Sequence, residues 1–195
     1  QMRRVGHDIN AVWLNMISLV DLVSGLWPYA HNGSSHSHQE AWFNELEMMQ
    51  VANGDFIAEQ GEEARNRVEA HFTMWAVLKS PLIISTDLQK VGPDTMAVLM
   101  NREAIGINQD PLGVQGFPHK REGGVEVWFK PLADGDWAMA ILNRTDAPRA
   151  VAFDWAQAHV EDAFSQHRPD FHDRTFALRG VAELPSGRTP PRASP

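Results

Sequence analysis

Four carboxylates in this chain sit at strand or loop positions from which they could do chemistry. They are Asp8 in "QMRRVGHDIN", Glu45 and Glu47 in "FNELEMMQ", and Asp87 closing "LIISTD". Paired carboxylates suit glycosidic bond cleavage, where one protonates the leaving oxygen and another attacks or activates water. Arg4, four residues before Asp8, is placed to bind a substrate hydroxyl and to help set that acid's protonation. Each acid also has a plainer role open to it. Asp8 or Asn10 caps the amphipathic run that follows, Glu45 and Glu47 are solvated charges, and Asp87 caps the next turn. Met48 and Met49 fill a core as readily as they touch a ligand. His31, His36 and His38 stand in a Ser/Gly-rich loop without fixed spacing to a carboxylate, so no metal site is assigned to them.

The elements that must position these groups are legible in the apolar spacing. "NAVWLNMISLVDLVS" brings Trp13, Met16, Ile17, Val20 and Val23 to one helical face, with Gly25 as its C-cap. "FNELEMMQVANG" is a short segment with an apolar centre that ends on an Asn-Gly turn. "EEARNRVEAHFTMWAVLKS" is a second helix, buried through Val68, Phe72, Trp75 and Ala76 and stopped by Pro81. "PLIIST" is expected as a strand buried on both faces, "DLQKVGPDTMAVLMN" as a helix and "EAIGINQ" as another short strand. Alternating helix and strand point to an α/β barrel or a doubly wound sheet. In a barrel, the C-terminal ends of the strands converge on one rim, where active sites form.

Past "DPLGVQGFPHKREGG" the texture changes. "GVEVWFKPL", "GDWAMAILNR" and "RAVAFDWA" are alternating segments joined by turn residues, an antiparallel pattern. A domain boundary is expected near residues 113–120, giving an α/β unit over 1–116, a β domain over 117–180 and a disordered tail over 181–195.

Composition narrows the classes. The 195 residues are 43% hydrophobic and 22% charged, ordinary for a globular chain, and the formal charge of -8 argues against a nucleic-acid partner. No apolar run approaches the roughly 18 residues of a membrane helix, and the opening residues do not read as a basic-then-apolar signal segment, which says nothing about secretion if Gln1 is not the true N-terminus. Cysteine is absent, so neither a disulfide nor a thiolate metal site enters. The sequons Asn32-Gly33-Ser34 and Asn143-Arg144-Thr145 are weak support for a secretory route.

Two long motifs then carry a resemblance. "HFTMWAVLKSPLIISTDL" followed by "INQDPLGVQG" resembles the melibiase-type α-galactosidases of glycoside hydrolase family 27. "FNELEMMQVANG" is similar to the family's "WNDPDMLEVGNG", and "RVGHDI" to its "WRxxxDI". "VWFKPLADGDWAMAILNRTD" is similar to the first strands of its C-terminal β domain. The resemblance covers residues 3 to about 160 and implies the C-terminal part of a TIM (β/α)8 barrel followed by an incomplete antiparallel β-sandwich domain. It implies Asp8 as the acid/base carboxylate, Arg4 as a sugar-binding partner and Met48 as a contact to the bound galactose. It also implies retaining hydrolysis of terminal α-galactosyl groups, with no cofactor and no metal.

The chain departs from the pattern at Arg3, where the family has Trp, and at Glu45, Leu46 and Glu47, where it has Asp, Pro and Asp. The family's nucleophilic Asp lies on an earlier strand in a "KYD"-like motif. This chain, opening on Gln1, is therefore expected to be a C-terminal fragment, inactive alone. After Arg174 the family's "DLW" segment and final apolar strand give way to "LRGVAELPSGRTPPRASP", for which a truncation or frameshift is the expected origin. For the parent protein, the resemblance implies a secreted or lysosomal/vacuolar enzyme, with a homodimer as its candidate assembly. Its substrate would be an α-galactoside, small or oligosaccharide. Two alternatives stay open: a non-catalytic, carbohydrate-binding remnant of the fold, and a member specific for α-N-acetylgalactosaminides or β-L-arabinopyranosides.

Overall fold

The computed structural model describes residues 2–30, 43–155, 158–162, 167–169, 171 and 173–181. His31, His36, His38, the first sequon and the tail from residue 182 lie outside the described residues. The chain begins with β1 (Met2–Arg4), α1 (Trp13–Ser24), β2 (Phe43–Glu45) and α2 (Glu62–Val77). The short helices α3 (Pro93–Leu99) and α4 (Arg102–Asn108) follow, then the strands β3 (Phe117–Glu122), β4 (Val125–Pro131) and β5 (Trp137–Asn143).

β1 and β2 pair in parallel, with Arg3 opposite Asn44 and Arg4 opposite Glu45. The parallel layer is extended by residues 83–85, where Met49 N donates to the Ile83 carbonyl at 2.7 Å and the Met49 carbonyl accepts from Ser85 N at 3.2 Å. "PLIIST" is thus a single parallel bridge between Ile84 and Met49, not a strand buried on both faces, and Ile83 and Ile84 are 44% and 37% exposed. Among the described residues, the backbone hydrogen bonds of this segment to another strand run to Met49.

Of the predicted face of α1, Met16, Val20 and Val23 are buried and Trp13 and Ile17 half-buried, with Leu19 buried beside them; on α2 the predicted Val68, Phe72, Trp75 and Ala76 are all buried. The start of α1 differs from the expectation. Its N-cap is Val12, without a side-chain cap, and the Trp13 amide donates to the Asp55 carboxylate at 2.8 Å. Neither Asp8 nor Asn10 caps the helix. Asp55 reaches it because the Asn53-Gly54 turn presses against Ala11. Gly54 has φ of +49°, and a Cβ there would stand 2.2 Å from the Ala11 carbonyl oxygen, so only glycine fits. Gly25 closes α1 as expected, in a right-handed conformation.

"EAIGINQ" is helical, not a strand. Asn101 accepts from the amides of Glu103 and Ala104 at 3.1 Å each and caps α4. Apolar residues at 104, 105 and 107 fit either period over so short a span, and the cap decides between them.

The antiparallel sheet has the order β3-β4-β5. β3 begins inside the Gly/Pro-rich stretch, ahead of the point where the texture of the sequence changes. Pro118 is accommodated because β3 is an edge strand with a register shift between Pro118 and Lys120. The expected strand "RAVAFDWA" is absent: described residues 149–155 are irregular. β4 is the central strand and is buried on both faces. Trp128 joins the core shared with α1 and α2, while Val127 and Phe129 pack with Phe117 and Val160 on the far side.

Polar groups stitch the two layers together. Buried Gln115 accepts from Asn44 at 2.9 Å and donates to the Val23 carbonyl at 3.3 Å. Arg144 forks onto Asp21 of α1 at 2.7 and 2.9 Å and onto buried Glu126 of β4 at 2.9 Å.

Candidate active site

The register of β1 on β2 delivers Arg4 to the C-terminal end of the parallel layer, beside the turn that follows Glu45. Val5 N donates to the Glu45 carbonyl at 3.1 Å, holding the two chain ends together. Past that bond β1 leaves the layer, and Asp8 stands clear of it with its side chain 94% exposed.

Arg4 Nη2 meets Asp8 Oδ1 at 2.5 Å, and the same nitrogen forms an ion pair with Glu47 Oε2. Arg4 Nε donates to the Gly6 carbonyl at 3.3 Å, which aligns the guanidinium along its own strand. One permanently charged, planar group thus serves two carboxylates that differ sharply in environment. Asp8 is open to solvent, and the Glu47 side chain is 10% exposed.

Glu47 is held through its backbone as well. The Trp75 indole N–H, from α2, donates to the Glu47 carbonyl at 2.9 Å, and Met48 N donates to Oε1 at 3.2 Å. The layer beneath is apolar. His71 is fully buried, its ring 4.7 Å from Phe56 and 4.2 Å from Trp75 between centroids. Burial alone pushes the His71 imidazole down to about 3, so it is neutral where the fold is stable.

The remaining sequence candidates fall as follows. Met48 is 41% exposed at the rim, and Met49 is fully buried, a core residue. Glu45 contributes its backbone carbonyl to the strand end. Asp87 caps the turn over Leu88–Lys90, accepting from Gln89 N at 3.1 Å and pairing with Lys90 at 3.0 Å. Its capping role is the one the structure supports. Spacing did not reveal that Glu47, a nominal loop charge, would share Arg4 with Asp8. Its place in "FNELEM" was the only hint. Trp75, spaced as a core residue, carried no local sign of its bond to Glu47.

The exposed Asp8 beside Arg4 stands past the end of a parallel strand, and an antiparallel sheet follows later in the chain; the comparisons with known proteins give this arrangement its class, the glycoside hydrolases built of a barrel and a β domain. Residues 3–110 match the profile described as alpha galactosidase A, and residues 122–178 match the alpha galactosidase C-terminal beta sandwich domain. The chain belongs to the melibiase-type α-galactosidase family, glycoside hydrolase family 27. It is 34% identical over 174 residues to an alpha-galactosidase A of Cellvibrio japonicus, an alignment covering 89% of this chain and 39% of that protein. The chain therefore spans about two fifths of that relative's length.

Among solved structures, alpha-galactosidase I from Mortierella vinacea superposes with a TM-score of 0.61 at 20% identity, over 80% of this chain and 40% of that one. A GH27 β-L-arabinopyranosidase from Geobacillus stearothermophilus gives 0.57 at 16%, over 74% of this chain and 33% of that one. At these identities the likeness is one of fold. The chain holds part of that fold: the parallel layer with its helices and a small antiparallel sheet.

Proposed function

We propose that this chain carries the acid/base half of a retaining α-galactosidase. Asp8 donates a proton to the leaving oxygen of a terminal α-D-galactosyl group and later takes one from water. Arg4 binds a sugar hydroxyl, and Met48 lines the galactose. The observation that carries the reading is the Arg4–Asp8 pair, with Asp8 94% exposed past the end of β1. A general acid must reach a substrate oxygen, and an exposed carboxylate fixed at its base by an arginine can do so.

Retention requires a second carboxyl about 5 Å away to attack the anomeric carbon. Glu47 is ill suited, because it is buried and both its oxygens are engaged. In this reading the nucleophile belongs to the part of the family fold that the chain does not span. The whole protein then works without cofactor on α-galactosides, as a secreted or lysosomal/vacuolar enzyme assembling as a homodimer. The 195-residue chain alone turns over nothing.

The test is Asp8→Asn in the whole protein, assayed on aryl α-galactosides of graded leaving-group acidity. Turnover should fall by about 100-fold or more on poor leaving groups and far less on good ones. Equal loss across the series would remove Asp8 from the acid role. Sugar binding without turnover by the wild type would favour a carbohydrate-binding remnant. A preference for aryl β-L-arabinopyranosides or α-N-acetylgalactosaminides would keep the mechanism and change the sugar.

A further inference from the structure

We propose that Glu47 is a positioning residue of this site: its carboxylate holds the Arg4 guanidinium in the orientation that meets Asp8, and its backbone turns Met48 outward. This rests on the roles given above to Arg4, Asp8 and Met48, and adds what keeps them in place.

Three restraints meet on Glu47, two of them from distant parts of the chain. Its carbonyl accepts from the Trp75 indole at 2.9 Å, Oε1 accepts from Met48 N at 3.2 Å, and Oε2 pairs with Arg4. The residue also carries two costs. Its carboxylate is nearly buried, which is unfavourable unless the charge is paired. Its φ is +130°, a region that side chains with a Cβ rarely occupy.

The twist has a visible consequence. A regular strand would send residues 46 and 48 to one face and 47 and 49 to the other. Instead Leu46 and Met49 are 0% exposed, Glu47 is 8% exposed, and Met48 alone turns out, 41% exposed. One distorted residue thus sets the direction of Met48 and anchors Arg4.

The two partners of Arg4 cannot be equivalent holders. An arginine side chain loses much rotamer freedom when fixed, and a pair with a fully solvated carboxylate gives little in return. Asp8 is such a carboxylate, whereas Glu47 is buried and itself immobilised on α2. Glu47 therefore holds the arginine, and the arginine presents Asp8.

The test is rotation of the Arg4 guanidinium in the 195-residue chain, read from its Nε–Hε and Nη NMR signals. Glu47→Gln, which keeps shape and removes charge, should speed that rotation by about tenfold or more. Asp8→Asn should change it by less than about twofold, and Glu47→Asp should recover part of the restraint. The Trp75 indole signal reports that each variant is folded. If Glu47→Gln does not fold, Trp75→Phe carries the test, because it removes the donor to the Glu47 carbonyl and should also loosen Arg4. An Arg4 rotation unmoved by the Glu47 or Trp75 variants, or freed equally by Asp8→Asn, would overturn the proposal. None of these readouts needs turnover. Failure of the galactosidase reading would leave them standing, and failure here would leave Asp8 free to be the acid.

Discussion

The parallel layer and the antiparallel sheet solve opposite problems. β4 and β5 pair without interruption from Val125–Asn143 to Pro131–Trp137, and the backbone ladder itself defines the unit. β1 and β2 share only three paired positions, and the third parallel segment contributes a single bridge. What fixes the parallel layer is long-range and mostly side chain to backbone: Asp55 on α1, Ser80 on the Leu46 amide at 3.0 Å, Trp75 on Glu47, and Asn108 on the Trp75 and Ser80 carbonyls at 3.1 and 2.9 Å. A continuous ladder leaves few backbone groups to spare. A layer of short strands ends in free loops that can hold charged side chains at a rim, provided buried residues beneath fix them. The candidate site is accordingly on the irregular layer.

Substitutions at two fully buried tryptophans test that division most severely. Trp75→Ala and Trp128→Ala should each cost about 3–5 kcal/mol of unfolding free energy in urea titrations. Only the first should also loosen Arg4, since only Trp75 reaches Glu47. If Trp128→Ala disturbed Arg4 equally, the two regions would have to be treated as one cooperative support.

The next effect is a pH dependence confined to the layer beneath the site. The folded value of His71, about 3, lies below the ~6.5 of an unfolded imidazole, so the unfolded chain takes up the proton first. The contribution of His71 is complete above pH ~6.5 and is lost as pH falls toward 3, at about 1.4 kcal/mol per pH unit. His71→Phe should flatten that part of the stability profile between pH 7 and 5, measured from urea midpoints. An unchanged slope would show that His71 reaches water.

The smallest effect concerns the seam between the regions. Asp21 is 48% exposed, so Asp21→Asn should cost no more than about 1 kcal/mol and should lose most of its effect in about 1 M salt. A larger, salt-insensitive loss would mean that the Arg144 fork, rather than the shared apolar core, joins the two layers.

These contrasts also explain what could be seen in advance. α1 and α2 were legible because a 3.6-residue period repeated over three or more turns is hard to imitate. α4 was misread because seven residues carry too little period to separate helix from strand, and Pro118 leaves β3 without a strand signal of its own. Spacing raised Asp8 and Arg4 as candidates beside plainer roles; the roles proposed for them and for Met48 came through the family motifs.

By itself, the amino-acid order determined the two long helices, the change from α/β to antiparallel texture, and the family motifs that place a carboxylate four residues after an arginine. Those properties are local or written as contiguous patterns, and proximity along the chain suffices to express them. Only the tertiary structure decided that Asp55 rather than Asp8 serves α1, freeing Asp8 for solvent. It alone brought Glu47, turned at φ of +130° and tied to Trp75 some 28 residues away, onto the same nitrogen of Arg4. Those contacts join segments whose separation carries no periodic signal, and they form only when burial brings the segments together.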